Sequence, residues 1–335
     1  MQAARFYAAG DVRVERVPRP AEPGRGEVLL RIVAAGICGS DALEYRAGPV
    51  LATPPVTLGH EFAGEVVAVG PGVEGLAPGT LVACGAGMSC GQCEPCRSGR
   101  TNLCTSYATI GFHRDGGLAE LCLAPADICL EVALPPRVAA LAQPMAIAVH
   151  AMRRGRVEPG EEVLVIGAGG IGSFLTYALA EHGVRVSVVD LDEHRLEASS
   201  ALGAQRAISS LPEPLTATVV FEVSGAKAPL EEAVAALPRG GRVVVVGVQK
   251  EPPAVDFRRV ALDELELIGT VAHVCEEDLP EAVRLLASRE SWHDVAPTVI
   301  ALQDLIDEGI RPLAEGTSSQ IKTLIDPSPS ASNVA

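Results

Sequence analysis

Basic residues are scarce in this 335-residue chain: 27 Lys and Arg stand against 42 Asp and Glu, for a formal net charge of −15. Nucleic-acid binding needs clustered Lys and Arg to displace phosphate counterions, and docking on an anionic membrane needs the same, so both are disfavoured. Long apolar runs are missing as well. No stretch reaches the roughly eighteen charge-free residues of a membrane span, and VVVVGV (243–248) has only strand length. The first segment, MQAARFYAAGDVRVERV, lacks the unbroken apolar core of a secretory signal. These absences point to the cytoplasm, where nine cysteines read as metal ligands or buried thiols rather than disulfides. What remains is 48% hydrophobic and 21% charged, the balance of a globular enzyme, in a chain long enough for two domains.

Up to about residue 140 the pattern is β-rich, with short runs such as GEVLLRIVAAG (26–36) and HEFAGEVVAVGPGV (60–73) broken by Gly and Pro. From about Glu161 it changes. EEVLVIGAGGIGSFLTYALAEHGVRVSVVD (161–190) runs strand, glycine turn, apolar-faced helix, strand. ATVVFEVSG (217–225), GGRVVVVGV (240–248) and ELELIGTV (264–271) are expected to add buried strands, with helical stretches such as PLEEAVAALP (229–238) between them. Such alternation implies an α/β unit of parallel strands with crossover helices. Beyond about 275 come a helical DLPEAVRLLAS, a strand-like IKTLID (321–326) and a frayed tail, DPSPSASNVA.

Gly167, Gly169 and Gly172 form GxGxxG between a hydrophobic strand and a helix. The first glycine permits a tight turn, the second admits a pyrophosphate to the backbone, and the third lets helix and strand pack closely. The helix N-terminus attracts the phosphate charge. Asp190 ends the next strand, where a carboxylate accepts hydrogen bonds from ribose hydroxyls and repels a 2′-phosphate. NAD is therefore expected rather than NADP.

SCGQCEPCRSGRTNLC (89–104) places Cys90, Cys93, Cys96 and Cys104 at C-x2-C-x2-C-x7-C. Four sulfurs so spaced can converge on one tetrahedral ion, and S4 coordination selects zinc or iron. With no other sign of electron transfer, zinc is favoured. A closed S4 shell offers substrate no position, so such a zinc is structural and the chemistry needs another centre. GICGSDALEY (36–45) supplies Cys38, and LGHEFAGEVVAVG (58–70) supplies His60 and Glu61. One thiolate, one imidazole and one carboxylate can hold a zinc with the fourth position open. Each of these residues alone reads as an ordinary core residue, and nothing in composition joins the two segments.

GHEFAGEVVAVG, CGSD, the four-cysteine segment, and GAGGIG followed by Asp190 together resemble the zinc-dependent medium-chain dehydrogenases/reductases, in the polyol, butanediol and sugar-acid dehydrogenase branch. The resemblance spans nearly the whole chain in order. It implies a GroES-like β-rich catalytic domain (1–142 and 276–335, with a structural lobe at about 84–108) and a Rossmann doubly wound parallel sheet (143–275). It implies two Zn2+ per chain, a catalytic one on Cys38, His60 and Glu61 and a structural one on the four cysteines. Ser40 would pass the substrate's hydroxyl proton on. Gly167, Gly169, Gly170, Ile171, Gly172, Asp190, Arg195 and Val248 would contact NAD. A homodimer or homotetramer is expected on the same ground. His60 and Glu61 are neighbours whose side chains would diverge on a regular strand, so an irregular backbone at Gly59 and Gly64 is expected.

Three positions depart from the family pattern. Leu43 stands where relatives carry a proton-relaying histidine, and Gln143 where they carry a glutamate beside the zinc. Ala272-His273 replaces the Arg-Tyr pair of sorbitol dehydrogenases. Gln143 keeps an amide oxygen as a weak ligand or as a partner for water. Within GFHRDGG (111–117), His113 or Arg114 can face substrate, or the segment is a solvated turn. The substrate class implied is a polar alcohol or ketone: a cyclitol, sugar, polyol or sugar acid. The alternatives are internally recycled NAD with net epimerisation or elimination, and a non-catalytic cofactor-binding protein.

Overall fold

The computed structural model describes residues 1–318 and 320–328, so the expected tail lies from residue 329 outside the described residues. Two compact units emerge: Met1–Ala146 with the described residues from His273 onward, and Ile147–Ala272.

In the first unit the long strand Glu27–Gly36 is the organising element. Its burial pattern is nearly continuous because it has neighbours on both sides. It pairs antiparallel with Glu61–Val69, Leu121–Pro125 and Thr323–Asp326. Leu81–Cys84 and Cys129–Glu131 extend the sheet beyond Glu61–Val69, and Thr298–Ala301 extends it beyond Thr323–Asp326. Leu30, Ile32, Phe62, Leu58 and Leu118 lie in one buried cluster with Phe6 from a separate three-stranded sheet. The register that matters most pairs Gly36 with Glu61. It brings the end of one strand to the start of another, at the two segments that carry Cys38 and His60.

The second unit is a six-stranded parallel sheet. Its order is Arg206–Ile208, Arg185–Val189, Glu162–Ile166, Val219–Glu222, Arg242–Val245, Glu266–Gly269. Strand order reverses between Glu162–Ile166 and Val219–Glu222, and ligands of doubly wound sheets bind at the carboxyl ends flanking that point. One expectation needs correction. ELELIGTV is an edge strand rather than a buried one: within Glu266–Gly269 only Ile268 is buried. Its outer side pairs with no strand among the described residues, and Leu262, Leu267 and Val271 beside it are exposed. No helix among the described residues is long and apolar enough to cross a membrane.

Candidate active site

Cys38 follows the strand Glu27–Gly36 and caps the helix Gly39–Ala47, where its amide donates to Asp41 Oδ2 at 2.9 Å. Glu61 opens the strand Glu61–Val69. Between them the backbone turns at Gly59, whose φ of +99° excludes other residues twice over: a Cβ there would also lie 2.6 Å from the Leu118 amide nitrogen. Gly64 does not share this role. It has no positive φ and sits inside the strand, where a Cβ would meet Leu30 Cβ at 3.0 Å. One thiol, one imidazole nitrogen and one carboxylate oxygen of Cys38, His60 and Glu61 lie within 4.8 Å of one another.

His60 is 5% exposed and its two nitrogens face different partners. Nε2 lies 3.3 Å from Ser40 Oγ, and Nδ1 lies 3.7 Å from Asp41 Oδ1. Nδ1 and that oxygen are both buried with no hydrogen-bond partner among the described residues. Burial pulls the His60 pKa down, but Asp41, Cys38 and Glu61 outweigh it and raise the value to about 9. Burial in turn pushes the Asp41 carboxyl up, against the pull of His60. A buried imidazole among acidic groups is a place for a cation, and a metal at the ring's other nitrogen would draw Nδ1–H onto Asp41. The donor set of sulfur, nitrogen and oxygen suits zinc with a position left open. Phe112 packs against the His60 ring, centroids 4.9 Å apart, and shields it.

Glu61 is 1% exposed and has a buried cation beside it: Lys322 Nζ donates to both carboxylate oxygens, at 2.9 and 2.7 Å. Neither Asp41 nor Lys322 emerged from the sequence. Asp41 carried a signal, since it stands three residues after Cys38 as a capping carboxylate. Lys322 carried none, being 261 residues from its partner.

Cys90, Cys93, Cys96 and Cys104 also bring their sulfurs within 4.8 Å of one another. Cys93 and Cys96 Sγ are 3.4 Å apart, and Cys104 Sγ accepts from the amides of Cys90 and Ser106, each at 3.3 Å. Amides of Cys96 and Thr105 lower the Cys93 thiol to about 6, so the site favours thiolate there. The four donors are all sulfur, which fits a closed structural zinc.

In the second unit, Gly167 has φ +100° and touches the neighbouring strand's exit, since a Cβ would lie 2.9 Å from Ser224 N. At Gly172 a Cβ would fall 1.8 Å from Gly167 O, so helix and turn can meet only there. Gly169 faces open space, the cradle a diphosphate needs, and Gly170 and Ile171 begin the helix Gly170–Glu181. Asp190 Oδ2 accepts from Ala168 N at 2.6 Å and Oδ1 from Asp192 N at 3.0 Å, which ties the carboxylate to the glycine turn. Arg195 lies in the first turn of the next helix, where its Nε is buried with no hydrogen-bond partner among the described residues. Val248 is 88% exposed, and so is Leu191 at 91%, an apolar residue that follows Asp190 directly and was missed in the sequence. Glu222, fully buried at the end of its strand, accepts from Gly225 N and Gln249 Nε2 and ties two loops at this edge together.

The three departures look different in three dimensions. Leu43 is half-buried and has nothing to offer a proton. Gln143, in the first turn of the helix Ala142–Gly155, is 6% exposed and its Oε1 has no hydrogen-bond partner among the described residues. His273 is buried, with Nε2 within 2.7 Å of the Gly85 carbonyl. Arg114 is spent on Glu27 at 2.6 Å, and exposed His113 accepts from Thr109 N, which favours the turn reading of GFHRDGG.

Comparison with known proteins agrees with this geometry. The family model for the alcohol dehydrogenase GroES-like domain matches residues 24–135, and that for zinc-binding dehydrogenase matches 170–288. Sorbitol dehydrogenase of Bacillus subtilis is 32% identical over 309 residues, which cover 86% of either chain. A zinc-binding dehydrogenase of Sinorhizobium meliloti bound to NADP superposes with a TM-score of 0.89 at 28% identity, over 97% of this chain and 99% of its own. The rspB alcohol dehydrogenase of Escherichia coli, complexed with NADH, gives 0.90 at 28% identity with the same coverage.

Proposed function

The chain belongs to the zinc-dependent medium-chain dehydrogenase/reductase family, and from that premise we propose an NAD-dependent enzyme interconverting a secondary alcohol and a ketone on a small polyhydroxylated molecule. A cyclitol, sugar, polyol or sugar acid fits. The observation that carries this reading is the convergence of Cys38, His60 and Glu61 in a buried site beside Ser40. A zinc there would be held by those three residues and, when bound, supplies a Lewis acid for the substrate oxygen. The other roles fall to the chain itself. Ser40, whose Oγ lies 3.3 Å from His60 Nε2, would relay the substrate's hydroxyl proton towards solvent, releasing its own proton as it accepts that one. Asp41 Oδ1, 3.7 Å from His60 Nδ1, would take the Nδ1–H and so set the tautomer once the other ring nitrogen held a metal, and Phe112 covers one face of the ring.

The relative from Bacillus subtilis is a sorbitol dehydrogenase, which supports a polyhydroxylated substrate. Leu43 and Gln143 support a substrate other than a simple linear polyol, because they remove a proton carrier and a charge. A panel of secondary alcohols and cyclic polyols with NAD, followed by NADH absorbance, tests the reaction. No net NADH from any of them, with cofactor retained through purification, would instead mean internally recycled NAD.

The preference for NAD rests on Asp190. Asp190→Ala should weaken NAD binding about 10- to 100-fold, the loss of a charge-assisted hydrogen bond worth about 1.5–3 kcal/mol, and should narrow the gap to NADP. Loosening the glycine turn alone would weaken both cofactors equally, so the ratio decides. A wild-type protein that prefers NADP would end this part of the reading.

Gln143 gives a second test. A buried amide oxygen without a partner carries an uncompensated desolvation cost unless a ligand takes it. A carboxylate in its place would add negative charge beside the reacting hydroxyl and oppose its deprotonation. Gln143→Glu should therefore move the acidic limb of the pH–rate profile for oxidation upward by about one unit, with zinc content unchanged. An unmoved limb, with a substrate whose chemical step limits the rate, would make Gln143 a spectator. Self-association belongs to the same reading, and the open edge of Glu266–Gly269 with exposed Leu262, Leu267 and Val271 supports a homo-oligomer.

A further inference from the structure

The chain has three lysines, and Lys322 is the one placed just ahead of the strand Thr323–Asp326, 5% exposed. Its backbone is held from both sides: its amide donates to Val295 O at 3.0 Å, and the next residue's carbonyl, Thr323 O, accepts from Ile37 N at 3.1 Å. The ammonium has three protons and finds three acceptors, Glu61 Oε1, Glu61 Oε2 and, at 3.1 Å, the carbonyl of Ile37. Ile37 immediately precedes Cys38. Lys322 therefore ties together the approaches to two of the three metal donors.

Glu61 has little freedom to move away. A Cβ on Gly36 would lie 2.5 Å from Glu61 Oε2, so the carboxylate lies directly against the Gly36 backbone. Lys322 is on one side of it, and the Cys38 and His60 donor atoms lie within 4.8 Å of it. Both carboxylate oxygens are bonded by a single Nζ, so any metal that engages Glu61 must share it with a buried cation. An ion pair serving only the fold would need no such proximity to a thiol and an imidazole.

We propose that Lys322 is a positioning residue that competes for the Glu61 carboxylate, weakening Glu61 as a metal ligand and keeping the ion's remaining position exchangeable. The inference rests on the reading that Cys38, His60 and Glu61 hold a zinc. It makes affinity at this site lower than the three donors alone would give, in return for an ion that accepts an incoming oxygen.

The test is a double-mutant cycle on Lys322 and Glu61, read by zinc affinity in competition with a chromogenic chelator and by the visible spectrum of the Co2+-substituted protein. Lys322→Met should tighten the more weakly held zinc at least about tenfold, the scale on which outer partners tune metal sites, and should alter the cobalt bands. In the Glu61→Gln background the same substitution should change affinity less than about threefold, because the shared ligand is gone. Affinity and spectrum unchanged in a folded Lys322→Met protein would overturn the proposal. So would equal tightening in both backgrounds, which would mean a through-space charge effect that does not use Glu61. If Lys322→Met does not fold, because it strands the buried Glu61 charge, Lys322→Gln, which keeps a donor for Glu61 without the charge, takes its place in both backgrounds. Tightening of at least about tenfold that falls below about threefold in the Glu61→Gln background supports coupling through Glu61, and no tightening, or equal tightening in both, overturns it. A wild-type protein holding only the four-cysteine zinc would overturn the underlying reading as well, whereas two zincs with no effect of Lys322 would overturn this inference alone.

Discussion

In His60→Ala, turnover of any alcohol substrate should fall by at least about a thousandfold while the protein stays folded and keeps one of two zincs. The size follows from the zinc proposed for this site. A Lewis acid at the reacting oxygen contributes several kcal/mol, and each 1.4 kcal/mol is a decade in rate, so about 4 kcal/mol gives the factor. Removing the imidazole leaves Cys38 and a Glu61 already engaged by Lys322, too few donors to retain the ion. The fold should survive, because among the described residues His60 makes one ring contact, with Phe112, and weak or missing hydrogen bonds to Ser40 and Asp41. Its loss removes the imidazole that opposes the cost of burying the Asp41 carboxyl, but Asp41 Oδ2 still accepts the Cys38 amide. Metal analysis, circular dichroism and NADH absorbance on the same preparation check the result. Activity within tenfold of wild type would place the chemistry elsewhere, and loss of both zincs together would show that the two sites are not independent.

What could be read from the sequence was whatever depends on local spacing. The glycine turn is one example, because three glycines and a following carboxylate act within a single strand–turn–helix unit. The four cysteines are another, since fifteen consecutive positions contain every donor. Cys38 and His60 are not of this kind. They meet only because Gly36 pairs with Glu61 across two antiparallel strands, a register that no local pattern states. Lys322 is further still from legibility, its role set by a strand that returns at the far end of the chain to lie against Glu27–Gly36. Apolar runs misled in one place: ELELIGTV has the hydropathy of a buried strand, yet one side of it is open.

The other large effect belongs to the cysteine lobe, where the expected outcome is the reverse: order lost and the active-site donors kept. Between residues 89 and 106 only Cys96, Asn102 and Cys104 are buried, so this stretch has no apolar core to hold it. Its regular structure is slight, a single turn at Glu94–Arg97 and another at Thr101–Leu103. Segments this small hold their shape through cross-links or metal rather than hydrophobic burial. Among the described residues the four sulfurs are the feature that draws it together, and with zinc bound they would supply its folding free energy. Cys104→Ala removes a donor that also accepts the Cys90 and Ser106 amides. Zinc content should fall from two to one, with the Cys38 site still loaded. Arg97 and Arg100 are exposed within the lobe and offer trypsin two sites. Cleavage there should accelerate at least about a hundredfold, since proteolysis follows the population of the open form and two decades correspond to about 2.8 kcal/mol, less than a structural zinc contributes. Freshly prepared, uncleaved protein should retain turnover, because none of Cys38, Ser40, His60 and Glu61 is altered. Unchanged trypsin sensitivity with two zincs still bound would refute the assignment of the lobe as a metal-held structure.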